Sequence, residues 1–371
     1  MTDREEWREN GGVLPEEGRN PSSDDGNGRS SPTTTGRRLY RLEDLAKLAG
    51  VSISTVSRAL NDSPLVSERT RRRILQLAKI HRYEGRVRPR HASEGEGRTI
   101  SIVIPPPQGR DVRVSDPFLL DLLGGLADPA IEHDCDLLIS HIMPSDLAGT
   151  LSLLDNRRTD GLIFLGQSTI HEHLNVLAER GAPFVVWGAQ LPNQKYVSVG
   201  TDNLKGGERA TAHLLRLGRR RIAFVGDTEA PEVALRFQGY RQALEDAGVP
   251  FEPEMLRPAH FDLESGMEVA ETLVEGGHGV DAVFAACDLI ALGVIRGLVR
   301  RGVRVPEDVS VVGYDDIRMA GYASPALTTI RQDVRRAGRL LLRKLLRLLA
   351  GEQVGSELLS TELIVRESCG A

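Results

Sequence analysis

No apolar run in this sequence approaches the roughly 20 residues that a membrane-spanning helix needs, and the first ten residues are charged, unlike a secretory leader. Cysteine is scarce: Cys135, Cys287 and Cys369 are too few and too scattered for a disulfide framework or a zinc cluster. Free thiols in a reducing cytoplasm are the expectation, with no metal, no cofactor and no membrane partner. Catalytic signatures are missing as well. There is no Gly-x-Ser-x-Gly elbow, no His-Glu-x-x-His helix and no Gly-x-Gly-x-x-Gly fingerprint, and the nine histidines pair with no evident nucleophile. The sequence does not read as an enzyme. Aromatic residues make up only 4% of the chain, so an aromatic beside polar groups is either core filling or a ligand platform.

What is present is a division of charge. The net charge of -5 over 371 residues conceals a segment, 39–92, with 12 basic and 5 acidic side chains. The remainder from 93 onward holds 29 basic and 39 acidic. A basic segment joined to an acidic body suggests one part that meets a polyanion, although a merely solvated basic face has the same composition. The length favours two or three folded units. Residues 1–38 are rich in Gly, Ser, Pro, Asp and Glu without apolar periodicity, and read as a disordered tail.

Residues 39–84 carry helix signals. Leu42, Leu45, Ala46 and Ala49 recur at helical spacing until Gly50 ends the helix. Ser52 is the N-cap candidate for a second helix with Val56 and Leu60 facing inward. Ser67, followed by Glu68, caps a third carrying Ile74, Leu77 and Ala78. Small Ala46, the Gly50 turn and the apolar plugs Val51 and Val56 give a helix-turn-helix spacing, which any helical hairpin could share. The second helix then turns Ile53, Ser54, Thr55, Ser57 and Arg58 outward, short polar groups and one arginine suited to a major groove.

The wording Val51-Ser52-x-Ser54-Thr55-Val56-Ser57-Arg58, with Val66-Ser67-x-x-Thr70-Arg71, resembles the DNA-binding domain of the LacI/GalR family of bacterial repressors. The resemblance implies that Ile53, Ser54 and Arg58 read bases. It places Ser52, Thr55, Ser57, Asn61, Ser67 and Thr70 on phosphates, which supply affinity and register. Family members usually continue Tyr-x-Pro-Asn-x-x-Ala-Arg-x-Leu into a hinge helix whose leucine wedges into the minor groove. In the linker 85–98, Pro89 and Ala92 stand at the alanine and leucine positions. A proline inside so short a helix costs about 3 kcal/mol, leaving Arg86, Arg88 and Arg90 as minor-groove candidates.

From Thr99 onward, apolar runs at 100–104, 137–139, 162–165, 184–187, 222–225, 282–286 and 309–312 alternate with amphipathic helices. That pattern indicates an α/β architecture of two doubly wound parallel-sheet lobes. Ligands in such sheets sit beyond the carboxyl ends of strands. Gln167, Cys287, Asp288 and Asp315 follow apolar runs, Trp187 ends one, and Arg236 is expected to begin a helix after the run at 222–225.

Asp116-Pro117-Phe118, Val199-Gly200-Thr201-Asp202-Asn203, Arg236-Phe237-Gln238-Gly239-Tyr240 and the stretches 305–316 and 325–333 resemble the same family's effector core, which is similar to periplasmic sugar-binding proteins. The resemblance implies lobes of 99–199 with 331–360 and of 200–330 with 361–371, joined by three crossovers. It makes Arg236 and Asp315 polar anchors for ligand hydroxyls and Phe261 an aromatic wall, and adds Asp116 and Phe118. Each has a plainer reading: a salt bridge for Arg236, a helix cap for Asp315, core filling for Trp187 and Phe261. Asp202 reads as a cap for the helix from Asn203.

Aromatic platforms with Asp, Arg and Gln between them suit a polyhydroxylated ring, so a mono- or disaccharide is the expected effector. The expected function is a homodimeric, sequence-specific repressor on a double-stranded, pseudo-palindromic operator. A sugar-responsive activator, a corepressor-dependent regulator and a sugar-binding protein without a DNA role remain alternatives.

Overall fold

The computed structural model describes residues 42–60, 63, 65–81, 97–105, 115–140, 146–153, 159–167, 170–277 and 279–371. The chain divides into two compact units, Met1–Arg88 and Pro89–Ala371. The tail 1–38, Tyr83 and most of the linker 85–98 lie outside the described residues.

The first unit holds three helices, α1 (Leu42–Ala49), α2 (Ile53–Leu60) and α3 (Glu68–Ile80). Gly50 ends α1 at φ +63°, a conformation that strains any residue with a Cβ. The turn is closed by Val51 N donating to Ala46 O at 3.2 Å and Gly50 N donating to Lys47 O at 3.3 Å, which satisfies carbonyls the helix end leaves open. Leu45, Ala46, Ala49, Val56, Ala59, Val66 and Ile74 form the core, with Val51, Leu60, Leu77 and Ala78 packed at its margin. Burying one such aliphatic side chain contributes about 1.5–3 kcal/mol, so a handful suffices to fix so small a unit.

The second unit contains two sheets. The first is built from β1 (Arg98–Val103), β2 (Cys135–Ile139), β3 (Gly161–Leu165), β4 (Phe184–Trp187), β5 (Val197–Thr201) and β11 (Glu357–Leu359), in the order β11-β5-β4-β3-β1-β2. All its pairings are parallel. Helices α4 (Pro117–Glu132) and α11 (Val334–Leu349) pack on each other and bury Leu122, Leu126, Leu341, Leu342 and Leu345 against one face. The short α5 (Leu147–Ser152) and α6 (His171–Glu179) lie on the other, where Leu174 and Leu177 meet Phe164 and Phe184.

The second sheet comprises β6 (Ile222–Val225), β7 (Leu256–Arg257), β8 (Ala282–Ala285), β9 (Ser310–Asp315), β10 (Thr328–Arg331) and β12 (Glu362–Ile364), in the order β12-β10-β9-β8-β6-β7. It is covered by α7 (Asn203–Arg216) on α8 (Pro231–Asp246) and α9 (Leu263–Glu275) on α10 (Asp288–Arg300). Asp202 caps α7, accepting from Lys205 N at 3.0 Å. The chain changes sheet three times: between β5 and α7, between β10 and α11, and between β11 and β12.

Three features differ from the sequence reading. The apolar run at 137–139 is not buried: β2 is an edge strand, and Leu138 and Ile139 are 38% and 50% exposed. Strand β12 pairs antiparallel with β10 at the edge of the otherwise parallel second sheet, entering it directly from β11 of the first. Strands β5, β7, β10 and β11 carry no apolar run, since they are two to five residues long and interleave Ser, Thr, Gly, Glu or Arg with their apolar positions. Among the described residues no helix is long and apolar enough to cross a membrane.

Candidate DNA-reading surface and effector cleft

In the first unit, Ser52 stands just before α2 and accepts from Thr55 N at 3.1 Å, and its Oγ lies 2.8 Å from both Ser54 Oγ and Thr55 Oγ1. This cap starts α2 with Ile53, Ser54 and Arg58 exposed and Thr55 and Ser57 half-buried. Ile53 leaves 49% of its surface open, so a bulky apolar group and hydroxyls share one outer face. Ser67 repeats the device before α3: Thr70 N donates to its Oγ at 3.3 Å. Arg71 ties the intervening loop down, donating to Ser63 O at 3.2 Å and pairing with Glu68 at 2.9 Å. Asn61 and Arg86 lie outside the described residues.

In the second unit, the residues after the strands converge. Asp315 ends β9 at φ +117°, a strained backbone position for any residue with a Cβ. Its Oδ1 accepts from Gln332 Nε2 at 2.7 Å, and Gln332 Oε1 accepts from Thr201 Oγ1 at 2.5 Å. A hydrogen-bonded chain therefore runs from Asp315 to two of the three crossovers. At the third, Arg209 donates to Thr361 O and Oγ1. Burial raises the Asp315 carboxyl to about 7, against the opposing pull of Arg236, with the charge of Asp116 adding to the rise. Asp315 does not cap the 3-10 turn that follows it, which begins after Ile317; its carboxyl accepts instead from the backbone N–H of Asp288, the first residue of α10.

Arg236 does not begin α8 but sits in its second turn, because Pro231 opens the helix earlier. It is buried, which excludes a surface salt bridge. Its Nε donates to Asn203 Oδ1 at 2.8 Å, its Nη1 to Ala286 O at 2.6 Å, and its guanidinium lies 3.7 Å above the Tyr314 ring. Asp288, a candidate for the ligand, is instead committed within its own sheet: Oδ1 accepts from Thr329 Oγ1 at 2.5 Å and Oδ2 from Ile317 N at 2.9 Å. Cys287 is buried beside it.

From the first sheet's side, Asp116 caps α4 by accepting from Phe118 N at 2.8 Å, and burial raises its carboxyl. Phe118 lies 6.1 Å from Trp187 ring to ring and packs against the cores of both sheets. Gln167 is wholly buried and donates to Ala189 O at 3.0 Å. Phe261 is 38% exposed on the loop leading into α9. The structure thus brings Asp116, Phe118, Trp187, Arg236 and Asp315 to the region between the sheets, joined there by Gln167.

Comparison with known proteins decides the family. Residues 41–85 match the bacterial regulatory proteins of the lacI family, and residues 211–369 match a periplasmic binding protein-like domain. The HTH-type transcriptional regulator CelR of Thermobifida fusca is 33% identical over 341 residues, covering 90% of this chain and 99% of that protein. The chain belongs to the LacI family. It is a DNA-binding transcriptional regulator and not an enzyme. Among solved structures, the CelR–cellobiose complex matches at TM-score 0.65 and 32% identity, covering 89% of this chain and 100% of that one. The lac repressor dimer bound to operator and the anti-inducer ONPF matches at TM-score 0.66 and 25% identity, covering 90% and 100%.

Within this LacI-family core, sequence reasoning overlooks Gln332, Thr201 and Glu232. Gln332 stands in plain view in the stretch 325–333, where the sequence marks only a crossover. Glu232 precedes Arg236 by one helical turn and so shares its face, a signal that Pro231 at the helix start supplies.

Proposed function

We propose that this LacI-family regulator is a dimeric repressor of a carbohydrate-utilisation operon, released from a pseudo-palindromic operator by a neutral mono- or disaccharide bound between the two sheets. In this reading Arg58, Ile53 and Ser54 read bases, while Ser52, Thr55, Ser57, Asn61, Ser67 and Thr70 hold phosphates, and Arg86 follows the minor groove. Arg236 and Asp315 anchor ligand hydroxyls, Asp116 and Gln167 meet them from the opposite sheet, and Trp187, Phe118 and Phe261 supply apolar surface.

One observation carries the proposal: the Asp315 carboxylate hangs on Gln332, which is bonded to Thr201 at another crossover. A ligand hydroxyl on Asp315 would therefore act on the segments whose geometry sets the angle between the sheets, and a ligand shifts an equilibrium only by binding one arrangement better. Cellobiose in the related CelR structure supports the sugar class. A two-fold dimer suits the few base pairs that one helix-turn-helix reads, and the operator-bound lac repressor is a dimer. The test is operator binding by fluorescence anisotropy across a panel of neutral sugars. Release by one of them, paralleled by a rise in Tm, is expected; release by none would refute the effector class. Sedimentation of a tetramer at micromolar concentration would refute the dimer.

A further inference from the structure

Two oxygen acceptors, one from each sheet, converge on Gly188 in the effector cleft, and neither has a hydrogen-bond donor among the described residues. Gln167, after β3, is wholly buried; its amide nitrogen donates to Ala189 O at 3.0 Å, but its Oε1 has no hydrogen-bond partner. Glu232, in the first turn of α8, comes from the other sheet. Both oxygens crowd onto Gly188 at the end of β4: a Cβ there would overlap Gln167 Oε1 and stand 3.2 Å from Glu232 Oε1. Glu232 makes no ion pair or hydrogen bond among the described residues. Its charge also reaches the first sheet's side, adding to the burial that raises the Tyr196 phenol.

A buried acceptor without a donor is unfavourable, and an amide oxygen beside a carboxylate repels rather than satisfies it. We propose that Gln167 and Glu232 form a subsite that spans the cleft and takes a donor-bearing, non-anionic end of the effector, best fitted by two neighbouring hydroxyls of a sugar. This rests on the reading of the cleft as the effector site. A carboxylate or phosphate at that end would meet Glu232 as a like charge, so the subsite rejects acidic sugars. Because the acceptors belong to different sheets, a diol bridging them favours the arrangement that holds them together, and Glu232 helps set both which ligand binds and which lobe arrangement it selects.

The experiment uses the full chain with glucose, ribose, cellobiose and glucuronate as probes, read by calorimetric titration. Wild type, Glu232→Ala, Glu232→Lys and Asp315→Ala are compared, with unliganded Tm as the folding control. We expect a neutral sugar to bind wild type, Glu232→Ala to weaken it about tenfold or more, and Glu232→Lys to shift preference toward glucuronate. Equal neutral-sugar affinity in wild type and Glu232→Ala, with loss in Asp315→Ala, overturns the subsite while leaving the cleft intact. Preference of the wild type for glucuronate does the same. If no probe binds wild type, or binding survives Asp315→Ala, the effector reading fails and takes the subsite with it.

Discussion

Replacing Asp315 by Asn tests whether the cleft carboxylate is kept for function at the expense of stability. The Asp315 carboxyl is raised from 3.8 to about 7, chiefly by burial. Between those values the folded chain holds a proton that the unfolded chain has released, so stability falls as pH rises from 4 through 7. A tenfold difference in proton affinity between the folded and unfolded chains corresponds to about 1.4 kcal/mol, giving a ceiling of about 4 kcal/mol lost by pH 8. Asp315 keeps part of its surface accessible, and solvent screening reduces this to about 2 kcal/mol.

Asparagine has the shape of aspartate and so leaves the backbone strain as it was, keeps an oxygen for Gln332 and removes the charge. Its loss also relieves Asp288, whose own carboxyl is raised first by burial and next by Asp315. Asp315→Asn should therefore match wild type near pH 4, where both groups are neutral, and melt about 3 °C higher at pH 8. It should bind operator and ignore the sugar that releases wild type. Calorimetric scans from pH 4 to 8 decide the matter: an unchanged pH profile, or a lower Tm for the variant at pH 8, would refute the argument.

Arg58→Ala should weaken operator binding by about 1–3 kcal/mol while sparing random DNA, as measured by anisotropy; equal losses would move Arg58 from bases to phosphates. Exchanging Ile53 and Ser54 together for other exposed residues should alter the preferred operator in a selection from random DNA without changing Tm, since neither side chain is part of the buried core. Gly188→Ala should lower Tm, because its methyl overlaps Gln167 Oε1; a cost of about 1–3 kcal/mol is expected, and an unchanged melt would show that Gln167 moves freely.

Much of the architecture could be read from local chemistry. Gly50 and Ser52 announce a turn and a cap by residue type alone, and the runs ending at Ile104, Leu165, Trp187 and Val225 are buried strands because a sheet covered on both faces must be apolar on both. The site was harder. Arg236 and Asp315 are found as residues after apolar runs, yet the same rule selects Asp288, since a position after a strand does not reveal whether a neighbour such as Thr329 has already claimed the carboxylate. Gln332 and Thr201 lie far apart in sequence and acquire meaning only when the crossovers bring them together. Leu138 and Ile139 mislead for the opposite reason: an edge strand can carry apolar residues that its own unit never covers.

The order of elements along the chain also bears on how the protein is made. The first sheet waits for β11, and one of its faces waits for α11, both of which follow the entire second sheet apart from β12. On a ribosome adding ~5–20 residues per second, Leu122 and Leu126 emerge roughly ten or more seconds before Leu341, Leu342 and Leu345 arrive to cover them. The nascent chain therefore passes through a period in which the second sheet's helices and strands can assemble while the first remains an open, apolar surface. A premature stop before residue 334 would leave that surface uncovered permanently, making such products targets for chaperones and proteases rather than weakened regulators.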